Sequence, residues 1–437
     1  MPRRPIISRA TGNARPWLLP FRARRSDASR RLTAGVFVSS EVRAISAALV
    51  EIIGRGFDAR LRIAEIALAD VPAETTHAYR RVSGGSTSFA EVAAVTAQLA
   101  ETQAEVVRQL LAKAKVVPNA VLVLGVVDPG LWHFGEGGKG AYTSLCDAAR
   151  LVELCTLNVI DAFPARDVAR GGLGGPVTAL AEWFLLRHRE RSRLIVDLGR
   201  SVRMTYLPAG IDYAAAARVL SFHVGPGTRL LDLLVRQLTG GEQQFDPGGK
   251  LAVQGRQIPA LVEHWLSDPY LERPLPRWHP WGVRPERFFT ESVEMAIRGG
   301  WNVRDLLCTA THFIAECVAR AAARRLPPGQ RIDEIIVTGG GEQNGLLLRQ
   351  IAARMPGVSL VRLANLTIAG EPFSAACAAV LANMYLDQIP GNTTAITGTE
   401  VPRVLGRLSA GSPLQWQALI REVMSAVPPP MPLRAAV

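Results

Sequence analysis

Ile335-Ile-Val-Thr-Gly-Gly-Gly-Glu-Gln-Asn344 runs from a β-branched stretch straight into three glycines, and a segment of helical character, residues 346–355, follows at once. The apolar residues that open it predict a buried strand, because branched side chains suit a pleat. One glycine would make a turn. Three between a strand and a helix predict a backbone that something approaches closely, and phosphate or nucleoside is the usual guest. Two further glycine turns lie upstream, Leu198-Gly199-Arg200 and Gly225-Pro-Gly227, each after an apolar run. Taken singly, each is ordinary turn chemistry. Three at the carboxyl ends of buried strands in one half of the chain predict a shared crevice that holds a ligand. No GxxxxGK[ST] sequence occurs, which excludes a P-loop enzyme.

Working outward, strands are predicted over 193–199, 203–207, 221–225 and 358–362, with helices over 230–238, 258–266, 286–298, 303–326 and 372–386. The first half reads similarly. Residues 32–40 and 44–53 are strand-like, and 120–125 and 157–160 are short buried strands. Val92, Val95, Leu99, Val106 and Leu110 recur at helical spacing and predict an amphipathic helix over 88–115. Shorter helices are expected over 147–155 and 183–189. Strands alternating with helices define the α/β class. The echo between 32–50 and 193–207 predicts two duplicated lobes, each opening with strand–turn–strand.

A chain of 437 residues, 48% apolar, is long enough for two or three domains with proper cores. The net charge of +12 is unevenly placed: residues 1–31 hold nine Arg and one Asp, so the remaining chain carries only +4. The charge therefore marks a tail rather than a nucleic-acid face. That tail lacks the apolar centre of a secretory signal and is read as a disordered extension. No uninterrupted apolar run approaches the ~18 residues of a membrane helix. Cys146, Cys155, Cys308, Cys317 and Cys377 are odd in number and form no CxxC, which predicts a reduced, cytoplasmic setting.

The second stretch with chemistry in it is Ala165-Arg-Asp-Val-Ala-Arg-Gly-Gly-Leu-Gly-Gly-Pro176. Asp167, placed after a strand and ahead of four glycines, could activate a hydroxyl or a water beside a close-approaching substrate. An Asp that caps the turn, or pairs with Arg166 or Arg170, fits the same letters equally well. Cys308, His312 and Cys317 share one apolar helix and read as core rather than zinc ligands. The loop Arg277-Trp-His-Pro-Trp-Gly-Val-Arg284 could stack on a base or a sugar, or be a hinge anchored by its tryptophans. The proline-rich residues 427–432 read as a disordered end.

From about Leu32 to Leu408 the chain resembles, in order, the bacterial anhydro-N-acetylmuramic acid kinases, sugar kinases of peptidoglycan recycling. The matching segments are Arg166-Asp-Val-Ala with Gly171-Gly-x-Gly-x-Pro176, Thr205-Tyr-Leu-Pro208, Gly225-Pro-Gly227 with Asp232, and Asp268-Pro-Tyr270. Gly339-Gly-Gly341 with Asn344 and Pro390-Gly-Asn392 with Thr397-Gly398 complete the set, and the last of these is the most family-specific. The resemblance implies a two-lobed actin-like ATPase fold with duplicated mixed-sheet lobes and a cleft between them. It places the N-terminal lobe at 32–192, the C-terminal lobe at 193–410 and an extension at 411–437. The implied reaction opens the 1,6-anhydro ring of the amino sugar with water while ATP phosphorylates the freed 6-oxygen. Asp167 matches the catalytic aspartate. Gly339, Gly340, Gly341 and Asn344 match the adenosine loop, and Gly199, Gly225 and Gly227 complete the nucleotide side. Arg166, Gly171, Gly172 and Gly174 fall on the substrate side. ATP and Mg²⁺ are the implied cofactors, although no residue is assigned as a metal ligand. The implied partners are small molecules rather than membrane or specific nucleic acid, with a homodimer left open.

Departures from the family pattern cluster at its phosphate and metal motifs. Met-Ser-Gly-Thr-Ser-x-Asp-Gly-x-Asp becomes Phe37-Val-Ser-Ser-Glu-Val-Arg-Ala-Ile-Ser46, with Arg43 and Ser46 in place of the acids. Ser-His-Gly-Gln-Thr becomes Val126-Val-Asp-Pro-Gly130, Gly-Gly-Ile-Ala-Asn becomes Gly199-Arg-Ser-Val-Arg203, and Asp-Thr-Gly-Pro-Gly-Asn becomes His223-Val-Gly-Pro-Gly-Thr228. Lys-Ser-Thr-Gly-Arg-Glu is replaced around 277–286, and the late acids are Glu371 and Ser374. Losing one preorganised charge-stabilising group costs about 10²–10³ in rate. The alternative reading is therefore a catalytically impaired pseudokinase that binds sugar, nucleotide or a regulatory partner.

Overall fold

Two sheets carry the same strand order, and that repetition builds the molecule. The computed structural model describes residues 30–426 except 86, 135–139, 281, 284–287, 289–294, 296–297 and 369. In the first sheet β1 (Arg30–Val38), β2 (Ala44–Ile53) and β3 (Arg60–Asp70) form an antiparallel meander. β4 (Val123–Val127) then joins β1 in parallel, and β7 (Val159–Asp161) joins β4. A hairpin of β5 (Leu131–Phe134) and β6 (Gly140–Thr143) stands apart from that sheet. In the second sheet β8 (Arg193–Leu198), β9 (Ser201–Leu207) and β10 (Leu220–Pro226) repeat the meander. β11 (Glu334–Thr338) joins β8 in parallel and β12 (Ser359–Arg362) joins β11. Counted along the chain, both sheets read third, second, first, fourth, fifth, and the first gains β13 (Arg407–Ser409) on its far edge. The duplicated lobes expected from the 32–50 and 193–207 echo are present.

Local chemistry accounts for the elements. Every residue of β11 is buried, as its unbroken branched run requires. Helix α1 (Phe89–Ala114) starts at a capping box: Ser88 accepts from the Glu91 backbone while the Glu91 side chain accepts from the Ser88 backbone. Val95, Leu99, Val106 and Leu110 on one face of that helix are buried.

Between the lobes lies α2 (Glu371–Leu386), packed on β1, β2 and β4. Gly35 and Gly125 make this possible, since a Cβ on either would lie 2.0 Å from the Ala375 carbonyl or 2.2 Å from that of Ala378. Phe373, Cys377 and Val380 of α2 share a core with Ile195, Leu207 and Ile336 of the second sheet, so one apolar cluster spans both lobes.

Several features differ from the sequence reading. The residues placed in the C-terminal lobe as 193–410 include α2 and β13, which lie on the first sheet. The basic tail was read to end at residue 31, yet Arg30 and Arg31 belong to β1. Arg31 is 3% exposed because its guanidinium pairs with Asp387 at 2.7 Å. Strands β3, β5, β6 and β13 lie where the sequence shows no strand signal. β3 is an outer strand with alternating partial exposure, so no apolar run marks it. The helix expected over 286–298, the rest of the tail and the proline-rich end fall mostly or wholly outside the described residues. Val303–Arg325 alone among the described helices is long and apolar enough to cross a bilayer, but 72% of its apolar window is buried in the protein core.

Candidate active site

Asp167 sits on a short helix, Phe163–Val168, immediately after β7, and it is fully buried. Its Oδ1 accepts from the Thr397 hydroxyl at 2.6 Å and from the Asn392 side-chain amide. Its Oδ2 accepts from the Gly174 backbone N–H at 2.7 Å. Burial pushes this carboxyl above the usual carboxylate range, and the three hydrogen bonds oppose the shift. The partners of Asp167 are thus Thr397, Asn392 and Gly174 rather than Arg166 or Arg170, the pairing the sequence also allowed. Arg166 is exposed and donates to the Val404 carbonyl at 3.2 Å.

The glycines around Asp167 divide into distinct tasks. A Cβ on Gly172 would lie 2.1 Å from Asp167 Oδ2, so that position must lack a side chain for the carboxylate to lie where it does. Gly174 is left-handed, with φ 79°, and a Cβ there would lie 2.5 Å from the Trp132 ring. A Cβ on Gly175 would lie 2.6 Å from the ring of Trp278. Only Gly171 of the proposed substrate glycines faces open space. Asn392 and Thr397 match the family pattern, but the sequence assigns neither a role. The structure turns both toward Asp167, and Leu173 N–H also donates to the Thr397 carbonyl at 2.8 Å.

The opening stretch finds its explanation at the second group of glycines. A Cβ on Gly339 would lie 2.6 Å from Asp197 Oδ1, and one on Gly341 would lie 2.7 Å from Leu198 Cβ. A Cβ on Gly227 would lie 2.2 Å from the Gly199 carbonyl. The turns that follow β8, β10 and β11 are therefore packed backbone to backbone, and Gly340 alone of the triple faces open space. Gly225 sits deeper, against Leu271 and Cys317. Asn344 caps its helix, Gly345–Arg354, by accepting from Leu347 N–H at 3.0 Å.

Charged groups surround these turns. Arg203 lies between Glu182 at 2.8 Å and Asp197 at 3.3 Å. Burial works against ionising Glu182, but Arg203 outweighs it and holds the carboxyl below the usual range. Asp197 shifts the other way, because burial raises it more than Arg203 lowers it. Its side chain keeps 30% exposure at the mouth of the β8 turn. Glu41 on the β1–β2 turn pairs with Arg43 and with Arg200 on the β8–β9 turn, so the first turns of the two lobes face each other. The short helix Thr394–Thr397, which carries Thr397, lies against β10, so the Asp167 group and the glycine turns meet at that strand.

Duplicated lobes with one shared core, glycine turns on the second lobe and a buried carboxylate on a glycine loop define a two-lobed α/β protein of the actin-like ATPase and sugar-kinase class. A family model described as anhydro-N-acetylmuramic acid kinase matches residues 35–411. The chain belongs to that family. An anhydro-N-acetylmuramic acid kinase from Picosynechococcus sp. is 30% identical, with 86% of this chain and 98% of that one covered. Another from Acaryochloris marina is 27% identical over the same shares. Among solved structures, a ROK family glucokinase from Streptomyces griseus in complex with glucose and AMPPNP aligns with 80% of this chain and 98% of its own. Its identity is 14% and its TM-score 0.36.

Proposed function

We propose that the chain opens 1,6-anhydro-N-acetylmuramic acid with water and transfers the γ-phosphoryl group of ATP to the freed 6-oxygen. The observation that carries this reading is Asp167, buried on its glycine loop and oriented by three donors, in a chain of this family. Oδ1 holds two of those donors and Oδ2 one. Oδ2 therefore keeps more lone-pair capacity for a water proton. In the reaction, Asp167 takes a proton from water as the water oxygen bonds to the anomeric carbon. The bond from that carbon to the 6-oxygen breaks, the 6-oxygen bonds to the γ-phosphorus, and ADP leaves.

The residues fit a nucleotide and its metal. The open backbone at Gly340 suits the nucleoside end. The N-terminus of helix Thr228–Leu238, beside Gly227, turns the positive end of a helix dipole toward phosphate. Mg²⁺ in kinases is held by one or two carboxylates together with substrate phosphates, and partly exposed Asp197 would be one such carboxylate at these turns. When bound, Mg²⁺ would neutralise charge on the transferring phosphoryl group. A cytoplasmic location belongs to this proposal, and five buried free thiols support it.

The test is product chemistry. Incubation with ATP, Mg²⁺ and the anhydro sugar should yield a phosphomonoester with a free reducing end, seen by ³¹P NMR and mass spectrometry. Recovery of unchanged sugar under conditions where it binds would overturn the proposal.

A further inference from the structure

The β5–β6 hairpin and the loop around Trp278 bring together an aromatic group that the reaction above does not use. Trp132 lies opposite Tyr142 in the hairpin register, with ring centroids 4.6 Å apart. Trp278, from the second lobe, meets Trp132 edge-on at 5.2 Å. Phe134 and His279 extend the group, 5.1 Å apart. All five residues are partly buried, neither sealed in a core nor open to solvent. The Trp132 indole N–H donates to the Pro129 carbonyl at 2.8 Å, which fixes the ring plane.

Gly174 and Gly175 tie this group to the catalytic loop. Gly174, whose N–H holds Asp167, is the residue that makes room for Trp132, and the next residue makes room for Trp278. Trp132 thus lies against the residue that holds the carboxylate, and Trp278, from the other lobe, lies against the residue after it. Core packing would bury such rings, since an indole removes a large apolar area from water. Partly exposed aromatic rings beside a few directed polar groups are instead the usual lining of a site for a small amphipathic ligand. A pyranose is such a ligand, with C–H faces that stack on an indole and hydroxyl edges that do not.

We propose that Trp132 and Trp278 are the face on which the pyranose ring of the substrate stacks beside Asp167. The inference rests on the kinase reading and deepens it, because it assigns sugar recognition to residues that lie outside the family motifs.

Calorimetry with 1,6-anhydro-N-acetylmuramic acid and, separately, with a non-hydrolysable ATP analogue tests it on the full chain. Trp132→Ala and Trp278→Ala should each weaken sugar binding at least tenfold and leave analogue binding unchanged. Trp278→Phe should recover most of the loss. Sugar affinity unchanged in both alanine variants overturns the stacking face while leaving the kinase reading standing. Parallel loss of sugar and analogue binding with a lowered Tm also overturns it, because the rings are then structural. Absence of sugar binding to the wild type overturns both readings.

Discussion

The Thr397 hydroxyl donates to Asp167 Oδ1 at 2.6 Å, joining residues 230 positions apart. Asn392, five residues before Thr397, donates to the same oxygen, and its own carbonyl oxygen accepts from Arg403 N–H at 2.6 Å. The carboxylate is thus aimed by a segment that follows the last helix between the lobes. A buried charge is tolerated only where such donors compensate its lost hydration.

Thr397→Val removes one of the three donors. Because that hydrogen bond lowers the Asp167 pKa against the raising effect of burial, its loss should raise the carboxyl further. The acid limb of the pH–rate profile should then move to higher pH, with turnover at neutral pH reduced and about 1–3 kcal/mol of stability lost. An unmoved acid limb would remove Thr397 from the positioning of Asp167.

Gly227→Ala and Gly340→Ala separate packing glycines from an open one. The first puts a Cβ 2.2 Å from the Gly199 carbonyl, and overpacking against backbone should cost about 1–3 kcal/mol. The second meets nothing within 4 Å and should change stability by less than about 0.5 kcal/mol. Gly340→Trp should weaken ATP-analogue binding while keeping the fold. Thermal melts and calorimetry read both effects.

His223 is 8% exposed and its Nδ1 has no partner. Burial first, then the positive charges of Arg203, His279 and Arg277, pull its pKa down to about 3. A depressed histidine is neutral in the fold and protonated in the unfolded chain between its ordinary pKa near 6.5 and 3. Stability should therefore fall as pH drops through that window. His223→Phe should flatten this part of the Tm-versus-pH curve. An identical slope in wild type and variant would contradict the assignment.

Glu182→Gln leaves Arg203 with a single carboxylate, Asp197. Removing one partner of a buried pair costs about 3–5 kcal/mol, and the Tm should fall accordingly. A neutral result would show that solvent reaches Arg203.

Much of this was legible in the letters. The strands 335–338 and 193–198 declare themselves by branched residues, and Ser88 with Glu91 announces a helix start. The letters around Asp167 fit an active acid and a turn-capping acid equally, and only the family resemblance favours the first. The glycines also carry a packing role that the letters do not show. Gly339 and Gly341 read as a cradle for a ligand, whereas their main neighbours are Asp197 and Leu198, which a linear reading cannot place opposite them. Asn344 looks like a ligand contact and caps a helix. Asn392 and Thr397 lacked any local signal, since their meaning lies in a carboxylate far away in sequence. β3 was missed for a different reason: its alternation is half-exposed on both faces, so no buried run marks it.

The most direct test of the central claim is steady-state ADP release with ATP, Mg²⁺ and 1,6-anhydro-N-acetylmuramic acid, wild type against Asp167→Asn. Loss of a general base lowers the rate about 10²–10⁴-fold. The account predicts sugar-dependent ADP release by the wild type and a fall of that size in the variant. Equal rates in the two proteins, or none above background in the wild type, would contradict it.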